Sequence, residues 1–354
     1  MFERFPPIKV TQFRKDVYLH EEDVNYHPGD VAVINYPADM NQKGLQINSD
    51  LLKVRPISEY FKPFQHPDRC SAAFVHMTEG IGDYFFFSAV AKWLQDNGII
   101  THVFVDPKSW PVFEWFESEV VLHKFVDPII KGFNPFIKYP LSRLCTEYAG
   151  IIGRDRLWIS CLFDRMNVSP DESYLRARIK TERLKGPKLL QEDSIMICHR
   201  ASSPSRTSRF EDFYEPIREC YPETLIYVNE IDLSKDDKVY IDNCVNVEVL
   251  PRMSLRQHLL NLFDVGFVVS TDTSAIHFRE GVGRPALGVY ASMETKSRVL
   301  HYKHTKSFDV ISDCKHQPCY FHQFKPDDRC RMGGSIAKCQ SGESFKQQLK
   351  SHLK

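Results

Sequence analysis

Three short segments of this chain gather residue types that bind anions and move protons. Gly80-Ile81-Gly82-Asp83 lies between an apolar run at 72–77 and a longer apolar segment at 84–97. Glycines let the chain turn sharply and let a ligand approach the backbone, while free amides at a helix start attract anions. Asp83 is then either a helix N-cap or a carboxylate offered to a substrate. The dinucleotide fingerprint G-x-G-x-x-G is broken, because Phe85 stands where its third glycine belongs.

The second segment, Ser270-Thr271-Asp272-Thr273-Ser274-Ala275-Ile276-His277, follows an apolar run and opens another apolar-periodic stretch. Hydroxyls, a carboxylate and as many as four free amides converge there, which suits a phosphate or a sugar polyol. Helix capping alone accounts for one or two of these side chains. The third segment, His199-Arg200-Ala201-Ser202-Ser203-Pro204-Ser205-Arg206-Thr207-Ser208-Arg209, sets three arginines among hydroxyls. Guanidinium groups bind phosphate oxygens in a fork, so a diphosphate fits this loop; a solvated surface loop is the alternative.

A cysteine cluster, Cys314, Cys319, Cys330 and Cys339, has four, ten and eight intervening residues. Four thiolates can hold tetrahedral zinc, with His316 and His322 as competing ligands. Unbonded thiols and a disulfide are the other readings. The remaining six cysteines are scattered beside apolar residues and read as small buried hydrophobes.

The elements that must position these segments follow from hydrophobic periodicity. Strands are expected at 72–77, 99–105 and 120–126, then at 194–199, 224–228, 265–270 and 286–290. Helices are expected at 84–97, 210–220, 254–263 and 275–281. Each chemical segment thus leaves a strand and enters a helix. Strand and helix alternate on both sides of a charged stretch at 169–187, which predicts two Rossmann-like α/β domains facing a cleft. The expected division is a small β-rich N-terminal extension at 1–70, an acceptor-side domain with linker at 71–185, a donor-binding domain with the cysteine-rich tail at 186–340, and a C-terminal helix at 341–354. Ser341 can cap that helix, and Phe345, Leu349 and Leu353 have helical spacing.

Composition closes off other classes. Over 354 residues, Lys+Arg and Asp+Glu both total 46, so no global field draws the chain to nucleic acid or an anionic membrane. A hydrophobic fraction of 42% and a charged fraction of 26% fit an ordinary globular protein rather than a disordered or fibrous one. MFERFPPIKV has no apolar signal region, and the apolar stretch at 85–94 is interrupted by Ser88 and Lys92. A transmembrane segment is not expected, and a cytoplasmic chain with reduced thiols is.

Together the three loops resemble the ADP-heptose:lipopolysaccharide heptosyltransferase family of GT-B glycosyltransferases, over about residues 72–339. Gly82-Asp83 matches the family's Gly-Asp pair, whose aspartate is taken as the catalytic base. Asp272-Thr273-Ser274-Ala275-Ile276-His277 matches Asp-Thr-x-x-x-His, and Val282-Gly283-Arg284-Pro285 matches part of Leu-Gly-x-Pro. The chain departs from the pattern at Ala89, Ser274 and Ala291-Ser292-Met293. Some relatives share a cysteine-rich tail.

The resemblance implies an inverting transfer from a nucleotide-diphosphate sugar to a hydroxyl acceptor, with Asp83 as general base and no cofactor required. It implies a donor site built from Arg200, Ser202, Arg206, Arg209, Asp272, Thr273, Ser274 and His277, with Arg206 or Arg209 on the diphosphate and Gly80 and Gly82 in the acceptor-side loop. It also implies that the last helix packs back on the first domain. The acceptor stays open between a glycan and hydroxymethylated bases of modified DNA. For DNA, Lys124, Lys131, Lys138 and Arg143 could form a basic groove; they also read as an ordinary solvated face. A non-catalytic nucleotide- or sugar-binding protein on the same fold is the rival from another class.

Overall fold

The computed structural model describes, with side chains, residues 80–103, 105, 107–124, 157, 159–160, 163, 168–182, 190–201, 206–310, 339 and 343–353. It gives the backbone of further strands near the N-terminus. There, β1 (Lys9–Phe13) pairs antiparallel with β4 (Val31–Ile34) and β5 (Leu52–Pro56), and β2 (Val17–Leu19) pairs antiparallel with β3 (Val24–Tyr26).

The first α/β half carries β6 (Ser71–Val75), α1 (Ile81–Asp96), β7 (Ile100–Val105), the single turn α2 (Trp110–Phe113), β8 (Val120–Lys124) and the short β9 (Asn134–Pro135). Its sheet is parallel in the order β8-β7-β6-β9. The apolar residues of α1 encircle it, and Tyr84, Phe85, Phe86, Phe87, Val90 and Leu94 are all buried, as a helix packed on two sides requires. The helix stops at Asn97, where Gly98 takes a φ of +73°, a conformation open to glycine without strain.

The second half is larger. It runs β10 (Ile195–Cys198), α3 (Phe210–Cys220), β11 (Ile226–Asn229), α4 (Lys235–Ile241), β12 (Val247–Leu250), α5 (Leu255–Asp264), β13 (Phe267–Thr271), α6 (Ser274–Gly281), β14 (Ala286–Tyr290), α7 (Thr295–Arg298) and β15 (Thr305–Asp309). All six strands are parallel, in the order β12-β11-β10-β13-β14-β15. Counted from β10, this is the 3-2-1-4-5-6 order of doubly wound sheets. The order reverses between β10 and β13, so the crevice outside their carboxyl ends is where such a sheet binds ligands. Two Rossmann-like halves and the α/β fold class are therefore present.

One packing differs from expectation. The last helix, α8 (Gly342–Leu353), lies on α3 of the second half, not on the first domain. Its stripe Phe345, Leu349 and Leu353 is buried in the core formed by Ile195, Phe213, Ile217 and Val289. Phe345 meets Phe213 edge-on at 5.9 Å between ring centroids. Lys346 pairs with Glu215, Lys350 with Glu219, and the Tyr221 hydroxyl donates to the Leu353 carbonyl. An apolar stripe with lysines on its flank fits the acidic, apolar face of α3, and that match decides where the helix docks.

The charged stretch that suggested a linker is a strap. Phe116 and Ile179 form an antiparallel bridge, flanked by Lys180 N–H to the Trp115 carbonyl at 2.7 Å and Glu117 N–H to the Arg178 carbonyl at 3.1 Å. The strap also crosses the end of α6. There a Cβ on Gly281 would come within 2.4 Å of Ile179 Cγ1, so this position needs glycine.

The carboxyl end of α6 is tied down. Arg279 has no exposed surface, and its guanidinium donates to the carbonyls of Leu262, Val265, Gly266 and Pro285 at 2.6–2.9 Å. It caps the carboxyl end of α5, where orphan carbonyls and the helix dipole favour a cation. Burial pulls its pKa down to about 9, so it remains charged at neutral pH. Replacing Arg279 by Met should leave these carbonyls unpaired and cost on the order of 3 kcal/mol. A urea midpoint equal to that of the parent protein would disprove the cap.

Candidate active site

The two loops flanking the crevice of the larger sheet are those after β10 and β13. The first is pinched at its base by Ser208 N–H donating to the His199 carbonyl at 2.8 Å. His199 itself is buried beside Asp237, 3.5 Å away, against the ring of Phe210. Burial works against the Asp237 carboxylate. Hydrogen bonds from His199, Ser234 and the Phe210 amide nevertheless hold its pKa well below the usual range. His199 and Asp237 thus anchor the loop rather than face a ligand.

From that loop, Arg206 reaches across the crevice. Its Nη1 donates to the Asp272 carbonyl at 3.2 Å and lies 3.7 Å from Asp272 Oδ2. Asp272 is only 2% exposed. A second guanidinium, Arg298, reaches the same Oδ2 at 3.3 Å from the turn after β14. Burial alone would raise the Asp272 pKa; Arg298 and then Arg206 outweigh it and hold the carboxyl below its ordinary value. Asp272 is therefore the buried counter-ion of two arginines.

Thr273 caps α6. Its hydroxyl accepts from Ala275 N–H at 3.2 Å and is 2.7 Å from the Ser270 hydroxyl. Ser274 is the first residue of α6, and His277 lies one turn further on the same helix. His277 is buried, with Nδ1 2.7 Å from the Tyr302 hydroxyl. Burial lowers its pKa to about 3, so the ring is neutral.

Residues 80–83 are brought to this junction from the other half. α1 starts at Ile81 with Gly80 at the N-cap position, so Asp83 sits inside the first turn and is not the cap. A Cβ on Gly82 would lie 3.3 Å from His277 Cδ2 and 3.6 Å from Ser274 Cα. The amino ends of α1 and α6 therefore abut, and a side chain at 82 would crowd His277. Phe86, one turn beyond Asp83, lies on His277 with 4.4 Å between ring centroids and under the Arg298 guanidinium at 5.9 Å.

Of the residues singled out from sequence, the structure brings together Gly82, Arg206, Asp272, Thr273, Ser274 and His277, with Gly80 and Asp83 on the adjoining turn. Arg209 stands apart. It is exposed and paired with Glu211 at 2.8 Å, at the start of α3. Arg200 is exposed at the end of β10. Ser202, Cys314, Cys319, Cys330, Lys131, Lys138 and Arg143 lie outside the described residues; Lys124 ends β8. Cys339 is half-buried against the core of the second half, and Cys198, Cys220 and Cys244 are free thiols. No group of three or more metal-binding side chains occurs among the described residues. Arg298 and Tyr302 were not found from sequence. Their only signal was their place after β14, in a loop read there for its departures from a family pattern.

Comparison with known proteins agrees with this geometry. Residues 232–323, from the end of β11 into the cysteine-rich tail, match Glycosyltransferase family 9 (heptosyltransferase). Over those residues the chain is similar to the heptosyltransferase-type glycosyltransferases. A family 9 glycosyl transferase from Veillonella parvula superposes with a TM-score of 0.54 at 12% identity, over 82% of this chain and 100% of that one. The iron-containing dodecameric glycosyltransferase TibC from enterotoxigenic E. coli gives 0.54 at 7% identity, over 99% and 93%. TibC in complex with ADP-D-beta-D-heptose gives 0.52 at 8% identity, over 99% and 93%. At such identities the likeness is one of fold, here GT-B. No curated protein matches the sequence. Among the described residues, no helix is long and apolar enough to cross a membrane.

The neutral state of His277 has a consequence for stability. Its folded pKa, about 3, lies below the ordinary 6.5, so the native state binds fewer protons than the unfolded chain. The stability it confers is complete above pH 6.5 and is lost as pH falls from 6.5 toward about 3. His277→Gln should flatten this dependence in urea unfolding at pH about 7.5 and about 5. An identical slope in both proteins would show that His277 titrates normally.

Proposed function

We propose that this chain is a glycosyltransferase that transfers a sugar from a nucleoside-diphosphate sugar to a hydroxyl acceptor, with inversion at the anomeric carbon and Asp83 as the base. The observation that carries the reading is the abutment of α1 and α6 at Gly82. It sets the turn bearing Asp83 beside the helix start and arginine that suit a diphosphate. Two helix amino ends and Arg206 place positive potential at one point, which favours binding of a donor diphosphate and its departure. The TibC structure described in complex with ADP-D-beta-D-heptose extends the same expectation to this chain.

In the proposed step, Asp83 accepts the acceptor hydroxyl's proton as the oxygen attacks the anomeric carbon. The glycosidic oxygen–carbon bond forms as the carbon–phosphate oxygen bond breaks, and the nucleoside diphosphate leaves with the bonding pair. Because Asp83 lies in the first turn of a helix, the dipole favours its anionic form. The leaving group is met by Arg206 and the amides around Ser274, so the chemistry makes no demand for a divalent metal.

Asp83→Asn keeps the shape and removes the base. We expect turnover to fall by about 10²–10⁴-fold, the usual scale for losing a general base, with nucleoside-diphosphate affinity nearly unchanged. Wild-type transfer rates in the variant would remove Asp83 from the mechanism. The donor reading has its own check in a thermal-shift panel of ADP- and UDP-sugars. A ligand at a hundred times its dissociation constant stabilises by about 2.7 kcal/mol, and no shift with any member would overturn it.

For the cysteine-rich tail, the four-thiolate donor set of Cys314, Cys319, Cys330 and Cys339 suits tetrahedral zinc or iron, and TibC is described as iron-containing. We propose a structural metal there. Elemental analysis should find about one equivalent per chain, with Cys319→Ser lowering both metal content and stability. A metal-free, fully active preparation would dispose of it.

A further inference from the structure

Two guanidinium groups converge on one oxygen of a buried carboxylate, and they do so unequally. Arg298 lies at hydrogen-bond range of Asp272 Oδ2, 3.3 Å away, with a side chain 4% exposed. Arg206 stands 3.7 Å from the same oxygen, donates instead to the Asp272 backbone carbonyl, and is 16% exposed. Among the described residues, Asp272 Oδ1 has no hydrogen-bond partner. A carboxylate with both oxygens available would take a single arginine in a two-pronged fork. Here the buried arginine takes Oδ2, and the outer one is kept to a longer contact.

The turn that carries Arg298 is built to hold it there. Asp309 accepts from the Thr295 amide and hydroxyl at 2.8 and 2.9 Å, fixing the start of α7 on β15. Ser297 closes the same turn onto the Glu294 carbonyl through its hydroxyl at 2.7 Å. On the far side, Phe86 of α1 lies under the guanidinium and shuts water out of the pair.

We propose that Arg298 is a positioning residue: by neutralising Asp272 from inside the fold, it keeps Arg206 disposed toward the donor diphosphate without touching the donor itself. The proposal rests on the donor-site reading given above. Without Arg298, the desolvated Asp272 has one remaining guanidinium within reach. Arg206 then folds onto it in a fork, and only the fraction of molecules with Arg206 turned outward binds the nucleotide at full strength. Apparent affinity falls by that fraction.

The test is a double-mutant cycle read by calorimetric titration of ADP and UDP, using whichever nucleotide the parent protein binds more tightly. Arg298→Met should weaken binding about tenfold or more, while Arg298→Lys, which keeps a cation on Oδ2, should stay within about threefold. In an Asp272→Asn background the amide cannot hold Arg206, so adding Arg298→Met should change affinity little. A purely structural role, or a direct contact of Arg298 with phosphate, would give the same loss in both backgrounds and would overturn the proposal. Unchanged affinity in Arg298→Met would overturn it as well. If Arg298→Met does not fold, Arg298→Lys carries the test, and a lysine variant weakened tenfold or more in both backgrounds overturns it. Failure of the parent protein to bind either nucleotide would instead bring down the donor reading, and this inference with it.

Discussion

The buried carboxylate of Asp272 is the constraint around which the second half is arranged. An ionised carboxyl removed from water must be matched by cations or lose its charge. Arg206 comes from the loop after β10 and Arg298 from the turn after β14, so the pairing ties together loops from three strands of the sheet. Asp272 itself belongs to the loop after β13, on one side of the point where strand order reverses. Each requirement narrows the next: the carboxylate fixes the arginines, and the arginines fix where positive charge stands at the crevice mouth.

α6 carries this arrangement, and buried ionic groups hold its carboxyl end. Arg279 caps α5 from inside, while Glu280 accepts from the amides of Lys303, His304 and Thr305 at 2.8–3.0 Å. Those bonds place the segment between α7 and β15, and with it Tyr302, whose hydroxyl meets His277. Such a network is costly if any partner is missing and rigid when all are present. Its rigidity is transmitted to the amino end of α6, where Thr273 and Ser274 stand.

Much of this was legible in the sequence, for identifiable reasons. Parallel strands buried on both faces read as short apolar runs, so β10, β13 and β14 emerged within a residue or two of their limits. The loops between them announced themselves by dense polar residues at strand ends. The elements that escaped lack that contrast. α4 (KDDKVYI) is charged and short, and β12 (VEVL) is an edge strand exposed at Glu248 and Val249. Arg298 escaped because nothing local distinguishes an arginine that will be buried from one that will be solvated. Its role depends on Asp272, 26 positions away in the chain. α8 illustrates the converse. Its periodicity was plain, but which face receives Phe345, Leu349 and Leu353 is decided by α3, whose Glu215 and Glu219 match the lysines beside that stripe.

The meeting of α1 and α6 depends on the strap as much as on the helices. The larger core cluster is continuous from Phe85 and Phe87 of α1 to Ile276 and Phe278 of α6, so apolar contact alone draws the two helices together. Apolar contact is non-directional and does not fix how far one helix slides along the other. The strap supplies that register: Arg178 N–H donates to the Ser88 hydroxyl of α1 at 2.8 Å, Arg178 pairs with Glu117, and Arg176 lies 3.9 Å from Glu280 of α6. Polar bonds at both helices, made by one segment, hold Gly82 against Ser274 and His277. Glycine at 82 and at 281 is where this close approach is written into the sequence: a Cβ at 82 would crowd His277, and one at 281 would run into Ile179 of the strap.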